Sequence, residues 1–498
     1  MSGVPDIRVR TVNAAPLRKS GAYVVYWMTA QRRLEHNFAL DRAVRHARVL
    51  ERPLVVFEPL RAGYRWASDR LHRFVLDGMR EHRATLSKHA STLYFPYVEP
   101  RAGDGSGLLA ALAKHAAVVV TDDFPCFFHP HMIAAAGKEL DVALEAVDSN
   151  GLLPLASSTA AATAAHSFRR FVQRELARHL AHLPSPTPLE HLPRVTPDDL
   201  LPAIRRRWPA ASDAQIGGEP GALARLPIDH AVTPADARGG AQAARARLAR
   251  FLARGLERYS EDRNEPDSQA PSGLSPYLHF GHIGTHAVLA ALAARERWTP
   301  AKLGTRVTGK REGFWRMSPQ SEAFLEQLVT WRELGFHHCR HRPDYDRYES
   351  LPDWSRKTLA EHARDPRPHV YTLAEFEAAA THDPLWNAAQ RELVRTGTIH
   401  NYMRMLWGKK ILEWSQTPQS ALATLIELNN KYALDGRDPN SYSGIFWTLG
   451  RFDRPFGPAQ PIYGTVRRMT SQSTAKKLDV KGYLERFGAG PRQSTFAT

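Results

Sequence analysis

Between residues 22 and 147 the chain alternates short β-forming runs with longer stretches of helical period, and this alternation limits the fold more than any other feature. Residues 22–28 (AYVVYWM) form a continuous apolar run, as a strand buried on both faces requires. Residues 34–50 have helical spacing, 54–57 read as a second strand and 70–88 as a second helix. Residues 93–97, 117–121 and 143–147 are further strands, with helical segments between them. Such alternation builds a parallel sheet with helices on both faces, here a Rossmann-like α/β domain over residues 1–160. Ligands of these sheets lie beyond the carboxyl ends of the strands, near Trp27, Met28 and Thr29 and near Thr121, Asp122 and Asp123. No glycine-rich phosphate loop follows the first strand, which argues against a dinucleotide site there.

After residue 160 the periodicity weakens and prolines accumulate (LPSPTPLEHLPRVTPDD), so residues 161–235 are expected to connect two domains through short helical pieces. Residues 236–487 read as an all-α domain, opening on an Ala/Arg/Leu-rich helical stretch at 237–258. The small, polar tail 488–498 is expected to be disordered. With 67 Lys and Arg against 51 Asp and Glu, the formal charge of +16 favours a polyanionic partner, nucleic acid first, over simple solubility. Cys126 and Cys339 are the only cysteines, and no zinc-type Cys/His spacing exists, so neither a disulfide framework nor a metal site is expected. No run of 18 apolar residues and no signal peptide is present. The expectation is a soluble, intracellular monomer, cytoplasmic and without membrane contact, or nucleoid-associated in a bacterial cell.

Residues 381–450 hold the densest cluster of informative residues. Asp383-Pro384 reads as a helix start and Gly397 as its stop; a second helix spans about 399–414, and Thr417-Pro418 opens a third. Trp386, Trp407, Trp414 and Trp447 all lie here. Trp407 and Trp414 are seven residues apart on one helix, sharing a face with about 10 Å of rise between them. That spacing suits electron relay, although core packing accounts for it more simply. Upstream, Ser272, Gly273, Leu274 and Ser275 offer hydroxyls and amides for an anion, although an ordinary capped loop explains SGLSP more simply. Residues 324–334 (FLEQLVTWREL) have helical spacing.

The segments THDPLWNAAQ, MRMLWGKKILEW, LNNKYALDGRDPN and GIFW, with SGLSPYLHFG upstream, resemble the flavin domain of class II cyclobutane pyrimidine dimer photolyases. YWMTAQRRLEHNFAL is similar to the opening of the same family, more weakly. The resemblance implies FAD as cofactor, UV-damaged DNA as partner and light-driven repair of cyclobutane dimers by electron transfer. It implies that Tyr259, Ser272, Gly273, Leu274 and Ser275 lie at the flavin phosphates and that Arg404 and Asp435 pair beside the flavin ring. Asn429 would approach the ring nitrogen that changes protonation. Trp407, Trp386 and Trp414 would be the proximal, middle and surface-exposed members of an electron relay. Trp331 and Trp447 would clamp a flipped-out dimer, and Arg467, Arg468, Lys476 and Lys477 would contact phosphates. An antenna pigment of deazaflavin or folate type is a further implication; where the family pattern has an Asp before the Asn, this chain has His36-Asn37, which leaves the pigment open.

The departures fall on the substrate side. Four residues before Trp331 the family has a glutamate and this chain has Gln327, with Glu326 beside it. Glutamine can donate a hydrogen bond but cannot supply a proton. After REL comes Gly335-Phe336-His337-His338 in place of a small residue and Asp-Asn, and either histidine could replace the acid if it faced the cavity. Two alternatives follow: a non-repair, cryptochrome-like flavin photoreceptor, or a photolyase with altered lesion preference.

Overall fold

The computed structural model describes residues 3–195 and 201–488. Residues 196–200 of the expected connection and 489–498 of the expected disordered tail lie outside the described residues.

The first half contains a six-stranded sheet made of β1 (Val9–Thr11), β2 (Tyr23–Trp27), β3 (Leu54–Leu60), β4 (Thr92–Val98), β5 (Ala116–Asp122) and β6 (Leu144–Val147). Its order is β1-β6-β5-β2-β3-β4, parallel throughout except for β1 against β6. Helices α1 (Phe38–Leu50), α2 (Asp69–Leu86), α3 (Leu108–Ala113) and α4 (His129–Glu139) follow successive strands. Side chains of a strand alternate between faces, and β2 shows the result: Val24 and Tyr26 pack with Phe38 and Val44 of α1, whereas Val25 and Trp27 pack with Leu108 and Leu112 of α3. Central strands buried on both sides need no polar face, which is why AYVVYWM is apolar throughout.

The carboxyl ends of β2 and β5, where ligands of such sheets sit, are bonded to each other. Oδ2 of Asp122 accepts from the backbone N–H groups of Thr29, Ala30 and Gln31 at 2.8–3.0 Å, and Oδ1 accepts from the Tyr26 hydroxyl at 2.8 Å. Asp123 is taken by Arg10 at 2.7 Å. Asn37 caps α1 through the amides of Ala39 and Leu40, and its own amide donates to the Tyr26 hydroxyl. The ligand-side positions expected from topology are therefore committed to holding the chain's own turn.

The second half is helical. Helix α5 (Ala165–His179), within the segment read as a connection, buries Phe168, Val172 and Leu176 against Phe251, Phe324 and Leu328 of that half. Three ties fasten the halves together. Arg70 of α2 donates to the carbonyls of Thr233, Leu393, Val394 and Tyr432, the last three at the C-terminal turns of helices Pro384–Thr396 and Pro418–Tyr432. Such terminal carbonyls lack partners in their own helix and carry the negative end of its dipole, so a buried guanidinium satisfies both needs. Arg33 donates to the carbonyls of Gly281 and Ser149. Glu333 accepts from the amides of Leu152 and Leu153 at 2.7 and 3.0 Å, and burial raises its carboxyl to about 7.

Candidate functional site

Local chemistry explains the helices that carry the site. Asp383 accepts from Leu385 and Trp386 at 3.0 Å, Pro384 takes the first position, and Gly397 closes the helix at φ 70°. Helix Asn401–Trp414 follows, then Pro418–Tyr432 behind a capping box of Thr417 and Ser420. Asp438 caps helix Pro439–Thr448 through the amide of Asn440 at 2.8 Å.

Two sequence segments far apart in the chain meet beside these helices. His279, from SGLSPYLHFG, lies 3.4 Å from Oδ2 of Asp438 and 3.3 Å from Nη2 of Arg437, both from LDGRDPN. Nearby, Arg404 and Asp435 form a two-pronged ion pair at 2.9 and 3.2 Å. Burial, then the hydrogen bond to Asp438 and the charge of Arg437, set the His279 imidazole, whose pKa falls below its ordinary value. Asn429 is buried and its amide donates to Ser441 Oγ at 2.8 Å and Asn430 Oδ1 at 3.2 Å, leaving its carbonyl oxygen as the acceptor. The buried donors Arg404 Nε and Arg437 Nη1 have no protein partner. Buried donors are rarely left unpaired, so this cluster suits a polar ligand with several acceptors.

The SGLSP loop is held from beneath. Arg247 donates to the carbonyls of Ser272 at 2.7 Å and Pro271 at 3.2 Å, and Gly273, at φ 65°, leaves room for that guanidinium. Ser272 Oγ accepts from the Leu274 amide at 3.4 Å, and Ser275 begins a five-residue helix, Ser275–His279. Tyr259 is buried edge-on to Phe251 and Phe324, with Arg263 over its ring at 5.9 Å.

The tryptophans are brought together through contacts that spacing could not show. Trp386 donates its indole N–H to the carbonyl of Trp407 at 3.0 Å, and Trp407 donates to Oε1 of Gln390 at 2.9 Å. The Trp386 and Trp414 rings are 5.9 Å apart, near perpendicular. Trp414, expected at the surface, is only 3% exposed. It is covered by Tyr371, His382 and Lys410, because the loop before Asp383 folds back and the Tyr371 amide donates to the Trp414 carbonyl at 3.0 Å.

On the substrate side the expected single helix over 324–334 is divided: Pro319–Leu325 is α-helical, Glu326–Trp331 is a π-helical turn, and Arg332–His341 resumes the α-helix. Such turns occur frequently at functional sites. Gln327 and Trp331 are half-buried. Glu326 is buried in a bidentate pair with Arg169 of α5, so it does not substitute for the missing acid. His337 and His338 turn away from that role. His337 bonds Ser158 at 2.7 Å and packs on Phe168, His338 packs edge-on to Phe452, and burial holds both at about 3. Gly335 is what lets helix Arg332–His341 lie against helix Pro439–Thr448, because a side chain there would strike Ser443 and Pro439.

Trp447 is half-buried, with Lys409 Nζ 4.6 Å from its ring centre and Arg467 at 5.9 Å. Lys409 was not singled out from the sequence. It is fully enclosed, donates to the Thr448 carbonyl at 2.7 Å, and is lowered by burial to about 7. Arg467, Arg468, Lys476 and Lys477 are all exposed; Arg467 reaches Asp453 and Arg468 reaches Glu413, so two of the four are paired within the chain. Gln390, Tyr371 and His382 were also missed. A Gln four residues after Trp386, one turn along its helix, was the available signal for the first.

Among the described residues no group of three or more His, Cys, Asp or Glu side chains is placed to hold a metal ion, and no helix is long and apolar enough to cross a membrane. Residues 24–189 match the family described as DNA photolyase. The chain is 34% identical over 481 residues to the deoxyribodipyrimidine photo-lyase of Methanothermobacter thermautotrophicus, covering 96% of this chain and 97% of that one. It is 34% identical to the enzyme of that name from Oryza sativa, covering 96% and 89%, and 30% identical to that of Potorous tridactylus, covering 95% and 83%. Among solved structures, a bacterial class III photolyase from Agrobacterium tumefaciens shares the fold with a TM-score of 0.64 at 18% identity, covering 94% of this chain and 86% of that one.

Proposed function

Because the chain belongs to the DNA photolyase family, we propose that it is a deoxyribodipyrimidine photo-lyase that binds FAD and uses light to split cyclobutane pyrimidine dimers in DNA. The observation that carries the reading is the cluster of His279, Arg404, Asp435, Arg437 and Asp438, drawn from separate segments and left with unpaired buried donors. Those donors and the nearby Asn429 fit the acceptor-rich ring and diphosphate of FAD. When bound, FAD supplies light absorption and the electron chemistry of repair.

The protein's own work is positional. The Arg404–Asp435 pair fixes the guanidinium so that Nε remains available to a ring acceptor. Asn429 is oriented by Ser441 and Asn430 and offers its carbonyl as an acceptor. Half-buried Trp331 and Trp447 supply aromatic surface on which an extrahelical dimer stacks, and Arg467, Arg468, Lys476 and Lys477 attract phosphates. Gln327 donates a hydrogen bond to the lesion without supplying a proton. Trp407, Trp386 and Trp414 carry electrons inward to reduce bound cofactor and take no part in ring splitting. The glutamine, with Glu326 locked to Arg169, also favours a second reading in which lesion preference is altered.

The test is loss of thymine dimers from an oligonucleotide under blue light, using reduced, FAD-loaded protein against a dark control. Light-dependent loss supports the reading. No loss from protein that binds and photoreduces FAD moves the assignment to another lesion or to a photoreceptor.

A further inference from the structure

We propose that Tyr371, with His382 as its proton acceptor, is the terminal electron donor of the chain formed by Trp407, Trp386 and Trp414. The inference rests on the relay reading above and extends it by one residue to the surface. An enclosed Trp414 cannot itself exchange electrons freely with reductants in solution, and Tyr371 and His382 are part of what encloses it. The Tyr371 ring centre lies 5.7 Å from that of Trp414 at 79°, and the backbone bond from the Tyr371 amide to the Trp414 carbonyl fixes the pair.

The phenol is also arranged to lose its proton. Its oxygen accepts the backbone N–H of His382 at 3.0 Å and lies 2.7 Å from Nδ1 of the same residue. With the amide occupying an acceptor position, the phenolic O–H is directed at Nδ1. His382 is exposed and stacks on exposed His369 at 3.8 Å, so a proton received there passes to water. The inner indoles have no comparable base. Trp386 donates to a peptide carbonyl and Trp407 to an amide oxygen, neither of which takes a proton near neutral pH. An electron vacancy on them stays cationic and mobile until it reaches a residue that can deprotonate.

The step balances as follows. With FAD bound, its light-driven reduction would draw one electron from Trp407, and the vacancy would pass through Trp386 to Trp414. One electron then passes from the Tyr371 phenol to the oxidised Trp414 indole while the phenolic proton moves to Nδ1 of His382. The products are a neutral indole, a neutral phenoxyl radical and an imidazolium. Burial and the neighbouring His369 lower the His382 pKa, Asp383 and Glu413 oppose them and Lys410 adds to them, so the ring is free to accept a proton near pH 7. Protonating His382 in acid removes the acceptor.

The experiment is laser-flash absorption with freeze-trapped electron paramagnetic resonance on oxidised, FAD-loaded protein, in water and in heavy water. Wild type should show a tryptophanyl radical replaced by a tyrosyl radical, more slowly in heavy water. Tyr371→Phe should lose the tyrosyl signal and leave the tryptophanyl radical to decay by recombination; His382→Gln should lose most of the tyrosyl yield. If Tyr371→Phe fails to bind FAD, 3-fluorotyrosine placed at position 371 should instead change the hyperfine pattern of the tyrosyl signal. A tryptophanyl radical with no tyrosyl successor in wild type, or a tyrosyl signal unchanged in both position-371 variants, overturns the proposal alone. Normal radical formation in Trp407→Phe overturns the relay reading and this proposal with it.

Discussion

Replacing Gly335 by alanine tests whether the spacing of two helices sets the lesion clamp. A β-carbon at 335 would lie 2.6 Å from Ser443 Oγ, 2.7 Å from the Pro439 carbonyl oxygen and 3.0 Å from Asn440 Cα. The serine can rotate away, although its hydroxyl already donates to the Pro439 carbonyl at 3.0 Å; the backbone atoms cannot. Helix Pro439–Thr448 must therefore move off helix Arg332–His341, at a cost of about 1–3 kcal/mol for an overpacked contact. Trp447 rides on the first helix and Trp331 borders the second. If the cost falls on the clamp, affinity for a dimer-containing duplex drops roughly 5- to 150-fold. Phosphate contacts from the exposed basic residues are untouched, so affinity for undamaged duplex should hold. Fluorescence anisotropy on matched damaged and undamaged duplexes measures both. Equal losses on the two duplexes, or no loss on either, would refute the reasoning.

Other expectations address the remaining parts of the site and the core. Trp407→Phe should block photoreduction of oxidised FAD while sparing repair by pre-reduced protein, as read by flavin absorbance and dimer assay. Gln327→Glu should raise the repair yield per absorbed photon; unchanged yield with normal binding places that side chain outside the lesion contact. Arg467→Ala should weaken binding to all duplexes alike and reduce the slope of log affinity against log salt by about 1, whereas a slope equal to wild type excludes a phosphate contact. Acid should destabilise the fold through His129, His282, His337 and His338, each lowered to about 3 by burial. Below the unfolded value of about 6.5 the unfolded chain binds protons that the folded chain refuses, so stability is lost as pH falls from there toward about 3. One unit below the unfolded value each site costs about 1.4 kcal/mol; a urea midpoint that is flat from about pH 7 to pH 5.5 contradicts the assignment.

The parts legible in the sequence are those written locally. The central strands are unbroken apolar runs, and the helix ends at Asp383, Gly397 and Thr417 are caps built from neighbouring residues. Strand β1 escaped because it is three residues long with Arg10 at its centre and Arg8 just before it; their charges are met by Asp123 and Asp148, more than 100 residues away. The π-helical turn at Glu326–Trp331 carries no residue type that marks it. Long-range partners were equally invisible: nothing near Glu326 announces Arg169, and nothing near Trp414 announces that Tyr371 and His382 fold over it. Motif resemblance supplied Arg404, Asp435 and Asn429 as candidates, whereas the structure adds that Asp435 takes two prongs of the Arg404 guanidinium and leaves its Nε without a protein partner.

The Arg70 fork bears on how this gene could be divided. Its donors occupy carbonyls at the ends of two helices that belong to the other half of the chain. Expressed without residues 1–160, the helical half would expose Leu393, Val394 and Tyr432 carbonyls on a bared apolar seam. Splitting the reading frame at the proline-rich connection should thus give fragments that regain solubility when produced together, with residue 70 setting how tightly they reassemble.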